Sequence, residues 1–374
     1  MSRWTKLAAA AVAAFVGIGA TQSIAQLEYL GVNLSGAEFG ENNLPGTIPD
    51  DYSYPGSSDI IDFVSKGFNT FRLPFRWERI QHSTGTSLNS AELMRLDNFV
   101  NFATSVGANV ILDVHNFGDF YGETIGKTGS SVTNSDFSDL WTRLANQYKS
   151  NDKVIFGLMN EPKGINLGGV GTEDWLGTAN SAITAIRDTG AENLILVPGN
   201  GFTGAWSWTN PPASFYGTPN AQVMGGVVDS KNNFAYEVHQ YLDADSSGTS
   251  DSVVSETIGA ERLVDFTNWL RANDARGFLG EFGVAPGEMQ LNALDNLLDY
   301  VDANQDVWQG WTYWSAGEWD ANYSFSVADN AASGRPQLAV LEAHLNPVPE
   351  PTTWALLGLA GITAMLAVRR NSSR

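Results

Sequence analysis

Two glutamates carry the chemistry this chain can do. Glu161 ends the stretch Leu158-Met159-Asn160-Glu161-Pro162, and Glu281 sits in Gly280-Glu281-Phe282-Gly283. Each follows a short apolar run that reads as a buried strand, Val154–Met159 in one case and Gly277–Gly280 in the other. Pro162 has no N–H to give to a sheet ladder, so the first strand must stop there. Gly280 and Gly283 are expected to let the backbone turn sharply beside Glu281. Two carboxylates at the ends of two buried strands suit the hydrolysis of glycosidic bonds, one acting as acid and the other as base or nucleophile. A single glutamate of this kind reads equally as a solvated strand-end residue, so the elements around the pair must decide.

Those elements alternate. Strand candidates end near Asn33, Leu73, Val114, Asn160, Val197, His239, Glu281 and Tyr313, at intervals of 32 to 46 residues. Helical periodicity fills most of the intervals. Ser90 is placed to cap a helix with Leu93, Leu96, Phe99, Ala103 and Val106 on one face, closed by Gly107. Asn134 or Ser135 opens the next, with Phe137, Leu140, Trp141, Leu144 and Tyr148 inward, and Trp175, Ala179, Ala182, Ile183 and Ile186 repeat the pattern before Gly190. Leu263, Val264, Trp269 and Leu270 mark a later helix, and Leu291, Leu294, Leu297, Leu298 and Val301 another. Pro336 suits the first turn of a final helix running through Leu345. Eight strand–helix alternations without a shared repeat motif or a dividing linker predict one α/β domain, a single (β/α)8 TIM barrel over residues 26–347.

In such a barrel, functional groups gather at the C-terminal strand ends. There the sequence places Arg72, Asp113 and His115, Asn160 and Glu161, Glu237 with His239 and Tyr241, Glu281, and Trp314. Two of only four histidines fall at these ends. A metal site is not indicated: there is no Cys, no His-Glu-x-x-His and no histidine pair at ligand spacing. Gly199-Asn200-Gly201 lacks the lysine and helix of a phosphate loop, and no Gly-x-Ser-x-Gly elbow occurs. The reading therefore calls for no cofactor. Trp206, Trp208, Trp319, Phe39, Phe117 and Tyr121 stand beside Gly, Asn or Ser in expected loops, where aromatic faces can stack on sugar rings or simply pack the barrel rim.

The chain ends are of a different kind. Arg3 and Lys6 precede an apolar run from Leu7 to Ala20, and Ser23-Ile24-Ala25 fits a cleavage site, so residues 1–25 read as a secretory signal peptide with Gln26 as the mature start. At the other end, Val348-Pro349-Glu350-Pro351 precedes an apolar segment from Thr352 to Val368, then Arg369-Arg370. Seventeen residues at about 1.5 Å each give roughly 25 Å, the short end of a bilayer span, and the arginines would stay cytoplasmic. Without the charged residues of the two ends (Arg3, Lys6, Glu350, Arg369, Arg370, Arg374), 16 basic and 40 acidic residues remain, a net charge near −24. So acidic a surface excludes nucleic acid and anionic membrane as partners of the body and suits a neutral ligand. No disulfide framework is possible without cysteine, and a domain of this size buries enough core to do without one.

The tail, residues 348–374, resembles the PEP-CTERM sorting signal of Gram-negative bacteria. That resemblance implies transient engagement of the membrane and of an exosortase-type processing system, with a permanent anchor as the alternative, and a secreted or cell-surface location. The body resembles the secreted endoglucanases of glycoside hydrolase family 5. The matching pieces are Gly31-Val32-Asn33-Leu34-Ser35-Gly36, Phe71-Arg72-Leu73-Pro74-Phe75-Arg76-Trp77-Glu78, Asp113-Val114-His115-Asn116, Leu158-Met159-Asn160-Glu161-Pro162, Val197-Pro198-Gly199-Asn200, His239-Gln240-Tyr241-Leu242-Asp243, Gly280-Glu281-Phe282-Gly283 and Gly310-Trp311-Thr312-Tyr313-Trp314. They run in order across nearly the whole body. The resemblance implies Glu161 as acid/base and Glu281 as nucleophile of a retaining endo-β-1,4-glucanase. Arg72 and Tyr241 would support the nucleophile at the substrate site, while His115, Asn160 and His239 hold the sugar and Trp314 serves as its platform. Retention needs the carboxyl groups about 5–5.5 Å apart, where repulsion lets one carboxyl keep a proton while the other is charged. Arg72 is expected to favour the charged form of Glu281. One departure, Ala316-Gly317-Glu318-Trp319-Asp320, stands where similar endoglucanases carry Pro-Trp after the glycine. A β-glucan substrate and a monomer are expected. Mannan or mixed-linkage glucan is the alternative substrate, and a non-catalytic glycan-binding barrel is the alternative from another class.

Overall fold

The computed structural model describes residues 27–215 and 217–345; the expected signal peptide and C-terminal tail lie outside these. Eight parallel strands close into a barrel: β1 (Tyr29–Asn33), β2 (Thr70–Phe75), β3 (Asn109–Val114), β4 (Val154–Gly157), β5 (Ile195–Pro198), β6 (Phe234–His239), β7 (Gly277–Glu281) and β8 (Trp308–Tyr313). Each pairs with its sequence neighbours, and β1 closes the ring on β8. This is the expected (β/α)8 barrel.

Period-two alternation explains both its layers. On β3, Val110, Leu112 and Val114 join the large cluster between strands and helices, whereas Ile111 belongs to a smaller one with Ile155, Leu194, Leu196, Ala235, Phe278 and Tyr29. That smaller cluster fills the barrel interior with apolar side chains. Continuing on the same face toward the C-terminal ends come Asp113 two residues after Ile111, Glu237 two after Ala235, and Arg72 on β2, all buried. The lumen is apolar at one end and charged at the other.

The helices α1 (Ser57–Val64), α2 (Ser90–Ser105), α3 (Asn134–Tyr148), α4 (Thr172–Asp188), α5 (Ile258–Ala272), α6 (Glu288–Ala303) and α7 (Gln337–Ala343) surround the strands. Among the described residues between β5 and β6 there is only a short helix, Asn220–Val223, and one further turn. Several local expectations shift by a residue. Asn89, not Ser90, caps α2, its Oδ1 accepting the amides of Ala91 and Glu92 at 3.0 and 3.1 Å. Thr133 caps α3 in a reciprocal arrangement with Asp136. Val264 points outward and is 39% exposed; Leu263, Phe266 and Leu270 form the inner face of α5. Regular β2 runs on to Phe75, and regular β4 stops at Gly157. Beyond Gly157 the Asn160 amide still donates to the Val114 carbonyl at 2.8 Å, so ladder bonding reaches the residue before Glu161. Among the described residues no helix is long and apolar enough to cross a membrane.

Asn33 ties the closing seam. Its Nδ2 lies 2.9, 3.1 and 3.2 Å from the carbonyls of Gly280, Thr312 and Tyr313, and its Oδ1 accepts from Arg72 Nη1 at 3.0 Å. One side chain thus joins β1, β7, β8 and the charged lumen.

Candidate active site

The charged lumen converges on Arg72, which is wholly buried. Its Nε donates to Glu237 Oε1 at 3.0 Å, its Nη1 to Glu281 Oε1 at 2.9 Å, and its Nη2 to Asn160 Oδ1 at 2.8 Å. Asp113 Oδ2 lies 3.2 Å from Nη1. A guanidinium with every edge occupied is held in one orientation. Arg72 therefore lies beneath the site, touching carboxylates rather than forming a groove wall where sugar would lie.

Glu281 takes a second hydrogen bond from the Tyr241 hydroxyl, 2.8 Å from Oε2. Its position owes much to a register shift between β6 and β7: Val238 pairs with Leu279 but His239 with Glu281. A bulge at this point brings the imidazole and the carboxylate side by side. His239 Nδ1 lies 2.7 Å from Glu161 Oε1 and 3.5 Å from Glu281 Oε2. One oxygen of each glutamate and the His239 nitrogen lie within 4.8 Å of one another. Burial opposes charge on the imidazole, but Glu281 and the hydrogen bond to Glu161, with Glu237 adding to them, push it up to about 10. Once protonated, Nδ1 has no lone pair to give a metal and donates to Glu161 instead. Burial and the Glu161 charge raise Glu281, against the pull of His239 and Arg72. The expected Arg72 contact is present, yet its effect on Glu281 is outweighed.

His115 behaves oppositely to His239. Because Asn160 Oδ1 accepts from Arg72, the Asn160 amide nitrogen faces His115 Nε2 at 3.1 Å, which must then accept; Nδ1 carries the proton toward Asp113 Oδ2 at 2.7 Å. Burial drives the His115 imidazole down to about 3 and so keeps it neutral, consistent with that tautomer. Trp314 stacks on the His115 ring, centroids 5.6 Å apart and planes 18° apart.

Glu161 itself has φ +44°, in the left-handed region that a branched or long side chain enters at a cost of about 1–3 kcal/mol. Phe117, Phe202 and Thr203 in neighbouring loops share the trait. Such strain is characteristic of functional loops. The glycines beside Glu281 serve a different purpose from the one expected: neither has a positive φ. A Cβ at Gly280 would stand 2.2 Å from Glu237 Oε1, and one at Gly283 would stand 2.4 Å from the Trp314 carbonyl. They make room; they do not turn the chain.

Hollows flank the glutamates. One of about 490 Å³ is lined by Phe39, Arg76, His115, Phe117, Lys163 and Trp314, among others. Another, of about 320 Å³, includes Glu161, Phe202, Trp206, Phe215, His239 and Tyr241 in its wall. A third, of about 630 Å³, lies between Phe39, Trp314, Tyr323 and Phe325. Of the loop aromatics, Phe39, Phe117 and Trp206 line these hollows, Tyr121 is exposed beside them, and Trp319 stacks on Phe39. Trp208 does not belong with them. It is fully buried against Phe266, Trp269 and Tyr236 at 4.8, 5.1 and 5.8 Å, a core residue that sequence alone grouped with the rim.

The structure brings Arg72, His115, Asn160, Glu161, His239, Tyr241, Glu281 and Trp314 into one cluster. The sequence reading undervalued Glu237 and Asp113, and missed Phe215. For Glu237 the signal was available: Glu237, His239 and Tyr241 alternate at period two, which sends the first two to the same face of β6.

A barrel with buried, ion-paired carboxylates at its strand ends, set between aromatic-lined hollows, has the layout of an enzyme that cleaves glycosidic bonds. The model of the cellulase family (glycosyl hydrolase family 5) matches residues 32–317, and that of the PEP-CTERM protein-sorting motif matches residues 347–371. Among curated relatives, a probable endo-beta-1,4-glucanase B of Aspergillus oryzae is 40% identical over 321 residues, 85% of this chain and 90% of that protein. Among solved structures, an endo-beta-1,4-glucanase of Xanthomonas axonopodis pv. citri is 46% identical with a TM-score of 0.80, covering 85% of this chain and 98% of the other. The Pseudomonas stutzeri endoglucanase Cel5A in complex with cellobiose is 31% identical with a TM-score of 0.74, covering 86% and 93%. The chain belongs to glycoside hydrolase family 5, the cellulase family.

Proposed function

We propose that this protein is a secreted endo-β-1,4-glucanase that cleaves internal bonds of cellulose-type glucans with retention of configuration. The observation that carries the reading is the approach of the two glutamates, with an oxygen of each within 4.8 Å. That fits the spacing of about 5–5.5 Å between carboxyl groups in retaining enzymes and falls short of the roughly 6.5–9.5 Å that leaves room for a water in inverting ones.

In this reading Glu281 Oε2 or Oε1 attacks the anomeric carbon while Glu161 gives its proton to the departing glycosidic oxygen. The bond to the leaving chain breaks as the bond to Glu281 forms. Glu161, now a carboxylate, takes a proton from water, whose oxygen displaces Glu281 in the second step. Arg72 and the Tyr241 hydroxyl hold the Glu281 carboxylate in line. His239 steadies Glu161 through Nδ1. Trp314, stacked on His115, offers a flat face to the sugar before the cleaved bond, and Asn160 and His115 stand at its edge. Hollows on either side of the pair support internal cleavage, since a chain can pass through rather than end at the site. A neighbour of 44% identity, XacCel5A, was solved in complex with cellopentaose, which supports a β-1,4-glucan as the ligand class.

Residues 1–25 act as the signal peptide in this proposal, and residues 348–374 as a sorting tail that meets the membrane and an exosortase-type system on the way to the surface of a Gram-negative bacterium. The mature barrel works as a monomer. The test is reducing-sugar release from a panel of soluble β-1,4-glucan, mixed-linkage glucan and mannan, with the anomer formed first read by proton NMR. Prompt β-anomer from β-1,4-glucan is expected. A mannan preference would move the substrate to the alternative, and an α-anomer would overturn the mechanism.

A further inference from the structure

Glu237 takes no part in the mechanism above, yet it is a wholly buried carboxylate in the lumen beneath the two glutamates. Burying a third acid there is expensive unless it is paired. Its Oε1 accepts from Arg72 Nε at 3.0 Å and lies 3.7 Å from His239 Nε2, an ion-pair distance without a hydrogen bond. Oε2 makes no hydrogen bond with the protein. Glu237 and His239 share a face of β6, so the carboxylate sits under the imidazole end that points away from Glu161. Gly280, at the register shift on the neighbouring strand β7, is the other half of the arrangement: any side chain there would collide with Glu237 Oε1, its Cβ arriving at 2.2 Å.

We propose that Glu237, in the space left by Gly280, is a positioning residue that holds Arg72 and a protonated His239 as two fixed cations against the Glu161–Glu281 pair. The inference rests on the roles proposed for those glutamates. Arg72 is oriented through Nε, the edge that Glu281 and Asn160 leave free. His239 is faced by Glu161 from the loop after β4, by Glu281 from β7 and by Glu237 from its own strand, with Asp113 on β3 and Arg72 on β2 behind them. Three acids around one ring favour its charged form over the penalty of burial. Loss of the unbonded Nε2 proton would leave Nδ1 donating to Glu161 but remove the ring's charge, so the field on the glutamate pair would change with pH. Glu237 acts to move that event beyond the working range.

The direct test uses the unaltered chain. Its four histidines make the imidazole nitrogens resolvable by 15N NMR after assignment with His82, His115 and His344 variants. His239 is expected to stay doubly protonated at pH 8, while His115 is neutral there. A neutral His239 ring at pH 8 would overturn the proposal, whether or not the enzyme is active. The variants Glu237→Gln and Gly280→Ala supply the functional arm: the first removes the charge, the second pushes the charged group aside. Both are expected to lower the pH midpoint at which 15N NMR sees His239 lose its proton by about one unit or more, with kcat on a soluble β-1,4-glucan falling more than KM changes. A lowered melting temperature with that midpoint unmoved would make Glu237 merely structural. Full loss of activity in Glu161 and Glu281 variants alongside that result would leave the proposed function standing while this inference fell.

Discussion

Trp206 and Trp208 lie two residues apart in one loop and should answer to truncation in opposite ways. Trp208 is fully buried and packs on Phe266, Trp269 and Tyr236; the backbone at Gly199 also abuts it, since a Cβ there would lie 2.4 Å from the indole. Trp208→Ala removes that packing and leaves a cavity, at a cost of about 3–5 kcal/mol. With an unfolding entropy of about 2.1 cal/mol/K per residue, a barrel of roughly 320 residues loses about 0.7 kcal/mol per degree near its midpoint, so Tm should fall by about 5–7 °C. The indole Nε1 has no hydrogen-bond partner, so Trp208→Phe forfeits no hydrogen bond and should cost less than half as much. Trp206 lines the hollow beside Glu161; Trp206→Ala should leave Tm within about 1 °C and raise KM for oligosaccharides several-fold through lost stacking. Differential scanning calorimetry and initial rates on a cello-oligosaccharide series decide it. Equal Tm losses in the two variants, or an unchanged Tm in Trp208→Ala, would refute the division between core and groove drawn here.

The two glutamates are separable by stereochemistry. Glu281→Gly should abolish turnover on every substrate, and added azide should give a product of inverted configuration; Glu161→Ala should still form the covalent intermediate from aryl glycosides with acidic phenols, and azide should then give the β-product. Reversed outcomes, read by NMR, would exchange the roles. Glu38 supplies a stability test: its carboxyl is pushed up to about 8, chiefly by burial, with Oε2 accepting from the Gly36 amide at 2.7 Å. The native state therefore binds a proton that the unfolded state has released, and stability falls as pH rises from about 4.5 to about 8. Glu38→Gln should raise Tm at pH 8.5 and leave it nearly unchanged at pH 4; equal effects at both would remove the burial argument. For the tail, protein recovered from the native host should lack everything beyond about Pro351, and mass spectrometry of a membrane-bound chain ending at Arg374 would instead establish an anchor.

The barrel was legible because its signals are local and repeated: eight apolar runs at near-even spacing, most followed by a helical stripe. The residues at the strand ends were legible for the same reason, since a strand end is a place in the chain as well as in space. What escaped depends on pairs distant in sequence. Whether Trp208 faces solvent or Phe266 is decided by a helix nearly sixty positions on. The purpose of Gly280 cannot be read without Glu237 across the seam between β6 and β7. Nor does sequence carry the one-residue slip that sets His239 against Glu281. Capping was misplaced by one residue at α2 because Asn89 and Ser90 are both good caps and only backbone geometry chooses between them.

The Asn33 contacts have a meaning in time. The carbonyl it grips at Gly280 belongs to a residue 247 positions further along the chain, and those at Thr312 and Tyr313 come later still. A polypeptide emerging N-terminus first holds Asn33, Arg72 and Glu161 long before Glu281 exists to receive them. Glu281 meets Arg72 and Tyr241 once β7 has joined the barrel, and Asn33 completes its grip only when β8 follows. The last contacts that lock the ring at its seam are thus made after every strand carrying a charged lumen residue has emerged.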